Sequence, residues 1–395
     1  MIDRKPAAAD AMGSEEFHDR SGDFGPFEGR VWLNCAHQAP LPRRAAEAAR
    51  EAVSWKVRPW ELTTARFTGV PQRLREALAR LIGARERDVI LANSASYGLH
   101  LIANGVSWRP GEEVLCMKGD FPSDILPWLG LERRGVVVRQ LEPRGRVLSP
   151  DEVAAAIGPR TRLLCTTWVH SFSGHGIDLG AIGSVCRDRG VPFIANVSQA
   201  LGARPLDVRT APVDGLVCAG WKWLCGPYAT GFCWLRPELR ESLVYNQTYW
   251  LSMLTSDDLG QDSLDLTLAK DVGGRRYDVF GTANFFNFTA FAAAVEDLLA
   301  IGIETVEAHD QALVDRLLDG LPRGAFDVLS PEAGPERSTL VLISAKDRTR
   351  NRQVYERLAD ARIHVALRAG SLRISPHIYN TPADIDRALA ALEPP

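Results

Sequence analysis

The chain has 395 residues, 46% hydrophobic and 24% charged, and its 46 basic residues against 49 acidic ones give a formal net charge of −3. This composition supports a sizeable core and excludes a low-hydrophobicity disordered chain, while the near balance of charge leaves no basic footprint for nucleic acid and no polybasic membrane patch. No apolar run of about 18 residues occurs, so no transmembrane helix is expected, and the length suggests two or three domains, or a large domain with a smaller one.

Residues 1–28 mix charges with small side chains and lack the apolar stretch of a signal peptide, so a flexible arm is expected there. Seven β-rich runs follow, at 88–92 (DVILA), 113–117 (EVLCM), 135–141 (GVVVRQL), 162–168 (RLLCTTW), 192–197 (PFIANV), 215–219 (GLVCA) and 231–235 (GFCWL). Several are continuously apolar, as in strands buried on both faces. Helical patterns lie between them, including 97–104, 149–157 and 179–189; the second opens with Ser149 and Pro150, a capping residue and then proline at the first helical position. The alternation predicts an α/β fold with a large, mainly parallel seven-stranded sheet covered by helices. After about residue 285 the texture changes to a long apolar helix over 288–303, a second helix over 304–321 and a βαβ-like tail from 338 onward. A large domain is therefore expected over 29–284 and a smaller α/β domain over 285–395.

The seven cysteines are odd in number, form no CxxC pair and lie mostly in apolar runs. They read as small buried hydrophobes in a reducing cytoplasm rather than as a disulfide framework or a zinc site, and no metal is expected.

Three segments carry chemistry. Lys222 is one of only six lysines and lies in Gly220-Trp221-Lys222-Trp223-Leu224-Cys225-Gly226-Pro227. A lysine between two tryptophans either packs its stem in a structural cation–π contact or is a desolvated amine, whose lowered pKa would make it nucleophilic. Ser94, Ala95 and Ser96 stand at a strand-to-helix turn, which is either a plain helix cap or an anion seat. Asn196 and Gln199 lie in IANVSQALG at a strand's carboxyl end, where open α/β sheets bind ligands. Neither GxGxxG nor GxxxxGK[ST] occurs, which weakens nicotinamide-dinucleotide and NTP readings, an NAD-dependent oxidoreductase among them.

The order NSAS, DFPSDILPW, ANVSQALG, GWKWLCGP, GTANFFN and LRISPHIYNT resembles the class V aminotransferase family, across about residues 30–390 and in the branch similar to isopenicillin N epimerase and cysteine desulfurase. The resemblance implies the fold type I architecture of pyridoxal 5′-phosphate (PLP) enzymes. It implies Lys222 as the Schiff-base lysine, Ser94, Ala95 and Ser96 as the phosphate turn, and Phe121 as the ring stacked on the pyridine face. It further implies Gln199 as partner of the phenolic oxygen, Thr282 as the threonine reaching the phosphate of the other subunit in a homodimer with shared sites, and Arg373 as the clamp on the substrate α-carboxylate. A planar guanidinium suits that bidentate contact. His170 is expected in the crevice as a proton shuttle, or else as a structural histidine. His37 is expected near the substrate, and Tyr245, Tyr249 and Trp250 in a substrate-side aromatic loop or a subunit interface.

The sequence also departs from the family. Asn196 occupies the place of the aspartate that faces the pyridine nitrogen, so no charge is brought there and the ring is expected to be a weaker electron sink. Trp221 and Ala219 replace a histidine and a serine on the phosphate; the indole N–H remains a donor. No cysteine follows Cys233, where desulfurases carry a persulfide-forming thiol. The expectation is a PLP enzyme acting on an amino-acid-like small molecule, with C–S β-elimination from a cysteine-derived conjugate in specialised metabolism placed first. Decarboxylation coupled to oxidative deamination comes next, and epimerisation or transamination after it. A non-catalytic PLP-binding or cofactor-free protein is the reading from another class.

Overall fold

The computed structural model describes residues 19–255, 257–282 and 284–393. It begins with a short strand, β1 (Val31–Trp32), and two helices, α1 (Arg43–Val57) and α2 (Thr64–Ile82). Helix α2 ends because Gly83 turns left-handed (φ +67°) and returns its N–H to the carbonyls of Ala79 and Arg80.

The seven apolar runs form one sheet: β2 (Val89–Ala92), β3 (Glu113–Met117), β4 (Val137–Leu141), β5 (Thr161–Thr167), β6 (Phe193–Asn196), β7 (Gly215–Ala219) and β8 (Gly231–Leu235). Every residue of β2, β3, β6, β7 and β8 is buried, in keeping with their largely apolar composition, with Glu113 and Asn196 the polar exceptions at strand ends. The spatial order is β2-β8-β7-β6-β5-β3-β4, with β8 antiparallel to both neighbours and the other pairings parallel. Strand β8 reverses direction twice over, so β2 and β7 point the same way. The carboxyl ends of β2, β5, β6 and β7 therefore open on one edge.

Helices α3 (Ala95–Gly105), α4 (Leu126–Leu129), α5 (Pro150–Ala156) and α6 (Leu179–Asp188) connect the strands. Helix α5 starts as expected at the Ser149 cap with Pro150 at its first position, and the structure adds a reciprocal bond between Ser149 and Glu152, a capping box. Helix α3 starts two residues before the expected Tyr97, because Ser94 is its cap and accepts the Tyr97 N–H at 3.2 Å. After β8 come the short α7 (Pro237–Ser242) and α8 (Trp250–Met253).

Helix α9 (Phe285–Ile301) starts three residues earlier than expected, at an Asn284 cap, and stops at Gly302 (φ +89°); α10 (Ile303–Gly320) leaves at 80° to it. Among the described residues no single helix is long and apolar enough to cross a membrane. Helix α9 is apolar on most sides because it is covered. Ala290, Ala293 and Ala294 pack against Ala45 of α1, while Phe288 and Phe291 enter the core beneath the large sheet.

The remaining chain forms β9 (Phe326–Val328), β10 (Val341–Ala345), α11 (Asn351–Asp360), β11 (Ile363–His364), β12 (Ala366–Arg368), β13 (Ser371–Ile374) and α12 (Pro382–Leu392). Strands β12-β13-β10-β9 make an antiparallel sheet over a separate core that includes Leu313, Phe326, Ile343 and Leu372. The early strand β1 pairs in parallel with β11. Of the arm expected over 1–28, residues 1–18 lie outside the described residues; beyond them Phe24 is buried, its ring 5.4 Å from that of Tyr379.

Candidate active site

The open edge of the large sheet faces a cavity of about 350 Å³. Lys222 enters it from the turn that follows β7. That turn is closed by the Gly226 N–H on the Gly220 carbonyl (2.8 Å) and the Cys225 N–H on the Lys222 carbonyl (2.9 Å). A side chain at Gly220 would press into the Thr230 hydroxyl and the Phe291 ring, so the tight path needs glycine. The two tryptophans diverge. Trp223 is buried and donates its indole N–H to Gln199 Oε1 (3.0 Å), whereas Trp221 lies in the cavity wall with its ring 4.7 Å from Tyr228. The ammonium of Lys222 lies over Phe121, 5.3 Å from the ring centroid. Burial, with the Arg373 charge second, brings its pKa from 10.5 down to about 8, so both features offered by the sequence occur: a cation–π contact, made with Phe121, and a desolvated amine.

Ser94, Ala95 and Ser96 bring the amino end of α3 to the same cavity. An eleven-residue helix presents its positive end and first-turn N–H groups there, which suits an anion. Gly231 of β8 allows the close approach, since a Cβ there would sit 3.1 Å from the Ser94 backbone.

Asn196 ends β6. Its Nδ2 donates to both oxygens of Asp124 (2.8 and 3.1 Å), and its Oδ1 accepts the Ser198 N–H (3.1 Å). Asp124 is fully buried, and burial, then the neighbouring Asp120, push its carboxyl well up from the usual range. Asp120 accepts the Thr166 hydroxyl, the Thr167 N–H and the Phe121 N–H, which holds the Phe121 loop against the end of β5. Gln199 lines the cavity with its amide already engaged: Nε2 donates to the Ala36 carbonyl (3.0 Å) and the Ser171 hydroxyl (3.4 Å), and Oε1 accepts from Trp223.

Arg373 reaches the cavity from β13 and is 3% exposed. One of its terminal nitrogens donates to the Ser171 carbonyl (3.2 Å), and its Nε is buried without a partner. Burial and the charge of Arg368 lower its pKa to about 10. A buried guanidinium with a spare donor beside a second arginine is an incomplete site that a carboxylate would complete. His37 also lines the cavity; partial burial, then Arg368, Arg373 and Lys222, lower its pKa.

The structure therefore brings together Lys222, Ser94, Ala95, Ser96, Phe121, Asn196, Gln199, Trp221, Arg373 and His37. His170 is not among the lining side chains. Its Nδ1 pairs with the Ser173 hydroxyl (2.8 Å) and its Nε2 with the Gly119 carbonyl (3.0 Å), so the ring ties two loops together. Its neighbours Ser171 and Phe172 face the cavity instead, Phe172 stacked 6.2 Å from Phe121. Thr282 lies in a different groove of its own chain, beside Thr64 and Leu254. Tyr249 packs on Phe280, and Tyr245 and Trp250 are exposed. Sequence reasoning missed Asp124, Tyr228 and Arg368. The first looks like a turn residue within DFPSDILPW, and the last has no signal apart from nearby Arg373.

Comparison with known proteins agrees with this fold. The sequence model of the aminotransferase class-V family matches residues 46–388. A probable cysteine desulfurase of Methanothermobacter thermautotrophicus is 26% identical over 387 residues, covering 92% of this chain and 94% of the relative. The isopenicillin N epimerase of Streptomyces clavuligerus is 27% identical over 375 residues, again with 92% and 94% covered. In solved structures, the cystine C–S lyase C-DES in complex with cysteine persulfide superposes with a TM-score of 0.83 at 21% identity, over 92% of this chain and 97% of that one. The cavity fits PLP on its own chemistry: a desolvated amine for the aldehyde, a helix amino end for the phosphate, an aromatic face, and a buried polar pair for the ring nitrogen. The chain belongs to the class-V aminotransferase family and is one of its PLP-dependent enzymes, related to cysteine desulfurases and isopenicillin N epimerase.

Proposed function

We propose that this enzyme cleaves the Cβ–S bond of a cysteine-derived conjugate by β-elimination. PLP, when bound, supplies an electron sink for negative charge at Cα. Lys222 would hold the coenzyme at its aldehyde, the first turn of α3 at Ser94–Ser96 would seat its phosphate, and Phe121 would cover one face of its ring. Arg373, with Arg368 beside it, takes the substrate carboxylate and so fixes which bond at Cα stands across the ring. With coenzyme and substrate bound, Lys222 would be the base placed to take the Cα proton, and the sulfur would leave Cβ as a thiolate. Trp221, Tyr228 and His37 form the wall against which the group on sulfur would lie.

The observation that carries this reading is the placement of the cysteines. All seven are unpaired and buried, and none lines the cavity. No protein thiol is in place to take up sulfur, so sulfur leaves on a small molecule. The desulfurase relatives and the C–S lyase fold neighbour support the same bond cleavage. The test is product analysis of the PLP-loaded enzyme on a panel of S-substituted cysteines, with and without oxygen. Pyruvate, ammonia and free thiol in equal amounts are expected. Alanine, a D-amino acid, or an aldehyde formed with loss of CO2 would overturn the reading.

The reading includes a homodimer in a reducing cytoplasm. It is supported by the seven unpaired cysteines, by the exposed rings of Tyr228, Trp250 and Phe280, and by the position of Thr282 outside its own chain's cavity. Sedimentation of the purified protein tests the dimer; a monomer at micromolar concentration would count against it.

A further inference from the structure

Asp124 is the only carboxylate among the described residues that line the cavity, where Lys222, Arg368 and Arg373 supply three cations. It is fully buried, and the Asn196 carboxamide is its only side-chain hydrogen-bond donor. Burial and the neighbouring Asp120 push its carboxyl toward the neutral form, so it carries charge only when a facing cation balances it, and an asparagine at 124 would satisfy Asn196 equally well. The carboxylate thus calls for a role that its charge alone fills.

The hydrogen bonds define what that charge can do. With Nδ2 turned to Asp124 and Oδ1 to the Ser198 N–H, the Asn196 amide is held in one orientation. One N–H and one lone pair of the amide remain unused. The other polar lining groups are less free. Gln199 is engaged at both ends of its amide, the Thr167 hydroxyl donates to the Val169 carbonyl (2.8 Å), and the Ser198 hydroxyl accepts the Ala219 N–H (2.9 Å). Asn196 and Asp124 form a buried, mutually bonded pair with capacity left for the nitrogen of a pyridine ring.

We propose that Asp124 is a positioning residue for PLP: acting through the Asn196 carboxamide, its negative charge keeps the ring nitrogen of the bound coenzyme protonated. The sequence alone assigns position 196 a neutral side chain and hence a weak electron sink; the structure puts the missing charge one hydrogen bond behind it. The groups facing Asp124 are Asp120, Lys222, Cys116 and Cys165. Lys222 is the cation among these groups; with its amine bound to the coenzyme aldehyde, a protonated ring nitrogen would balance Asp124, while Arg368 and Arg373 stand for the substrate carboxylate.

The inference rests on PLP occupying this cavity, which borohydride reduction followed by mass spectrometry of the Lys222 peptide checks separately. The test itself is the ¹⁵N NMR shift of pyridine-¹⁵N-labelled PLP bound to wild type, Asp124→Asn, Asn196→Asp and the double variant, which moves the charge from 124 to 196. Wild type should show the shift of a protonated ring nitrogen. Asp124→Asn should move it toward the unprotonated value and weaken coenzyme binding by about tenfold or more. The double variant should restore both, which a merely structural role for Asp124 would not produce. Asn196→Asp alone should leave the wild-type shift in place, and it serves if Asp124→Asn fails to fold. An unprotonated nitrogen in wild type that becomes protonated in Asn196→Asp, or an unchanged shift in Asp124→Asn, would overturn the proposal.

Discussion

In the cofactor-free protein at pH 7, the Lys222 amine should be neutral in roughly one molecule in ten, against about one in three thousand for an ordinary lysine. The difference follows from the fall of its pKa from 10.5 to about 8, caused first by burial and then by the charge on Arg373. Replacing Arg373 with methionine removes the second cause and leaves the first. The midpoint should then rise and stay below the ordinary value, since burial is the larger of the two causes; each unit of rise is ~1.4 kcal/mol of relieved repulsion. Trace acetylation with acetic anhydride across pH 6–11, with the Lys222 peptide quantified by mass spectrometry against a free-amine standard, reads the midpoint directly. A wild-type midpoint above 10, or one that Arg373→Met does not move, would refute the argument that burial and Arg373 set the reactivity of this amine. The same shift has a signature in stability. The folded amine binds its proton less tightly than the unfolded one, so this group destabilises the cofactor-free fold fully below about pH 8, and the penalty fades as pH climbs toward 10.5. Lys222→Met should therefore raise the melting temperature at pH 7 and have little effect at pH 10.

Arg373→Lys should raise KM for the amino-acid substrate by about ten- to a hundredfold with a smaller change in kcat, because a point charge cannot reproduce the planar fork; steady-state kinetics check the split. Arg75→Met should cost about 3–5 kcal/mol in chemical denaturation, since it strands Asp278, which is buried, pairs with Arg75 at 2.6 Å and holds the Leu91 N–H of β2. His377 is buried and pairs with Asp310 at 2.7 Å; burial opposes its charge, but the carboxylate outweighs it and lifts the pKa from 6.5 to about 10. The stability from this pair should be fully present below pH 6.5 and lost as pH rises through about 10, so the gap in melting temperature between wild type and His377→Asn should shrink over that range.

The large sheet was legible because most of its strands are buried on both faces and so appear as apolar runs; all seven runs became strands, the half-exposed edge strand β4 included. Helix starts were less legible where a polar cap precedes an apolar stretch. Ser94 and Asn284 draw α3 and α9 back by two and three residues, because capping is decided by one side chain and not by periodicity. Lys222, Phe121 and Arg373 could be found because each sits in a segment of unusual composition. His170 was marked over its neighbours Ser171 and Phe172 because a histidine draws a chemical reading, yet side-chain direction past a strand end is set by loop contacts that no local pattern encodes. Asp124 was missed for a related reason. Its meaning comes from Asn196, 72 residues away, and only folding puts the two in contact.

Strand β1 pairs with β11 in a small sheet of its own, and the Ala36 N–H donates to Ser375 just past β13, so the approach to Ala36 and His37 is tied to the strand that carries Arg373, while Lys222 stands at the edge of the large sheet. A molecule anchored at both Lys222 and Arg373 would act as a clasp between two separately cored halves of the chain. Occupancy should consequently be felt well beyond the cavity rim, as slower amide exchange along β11 and β13 in the loaded enzyme.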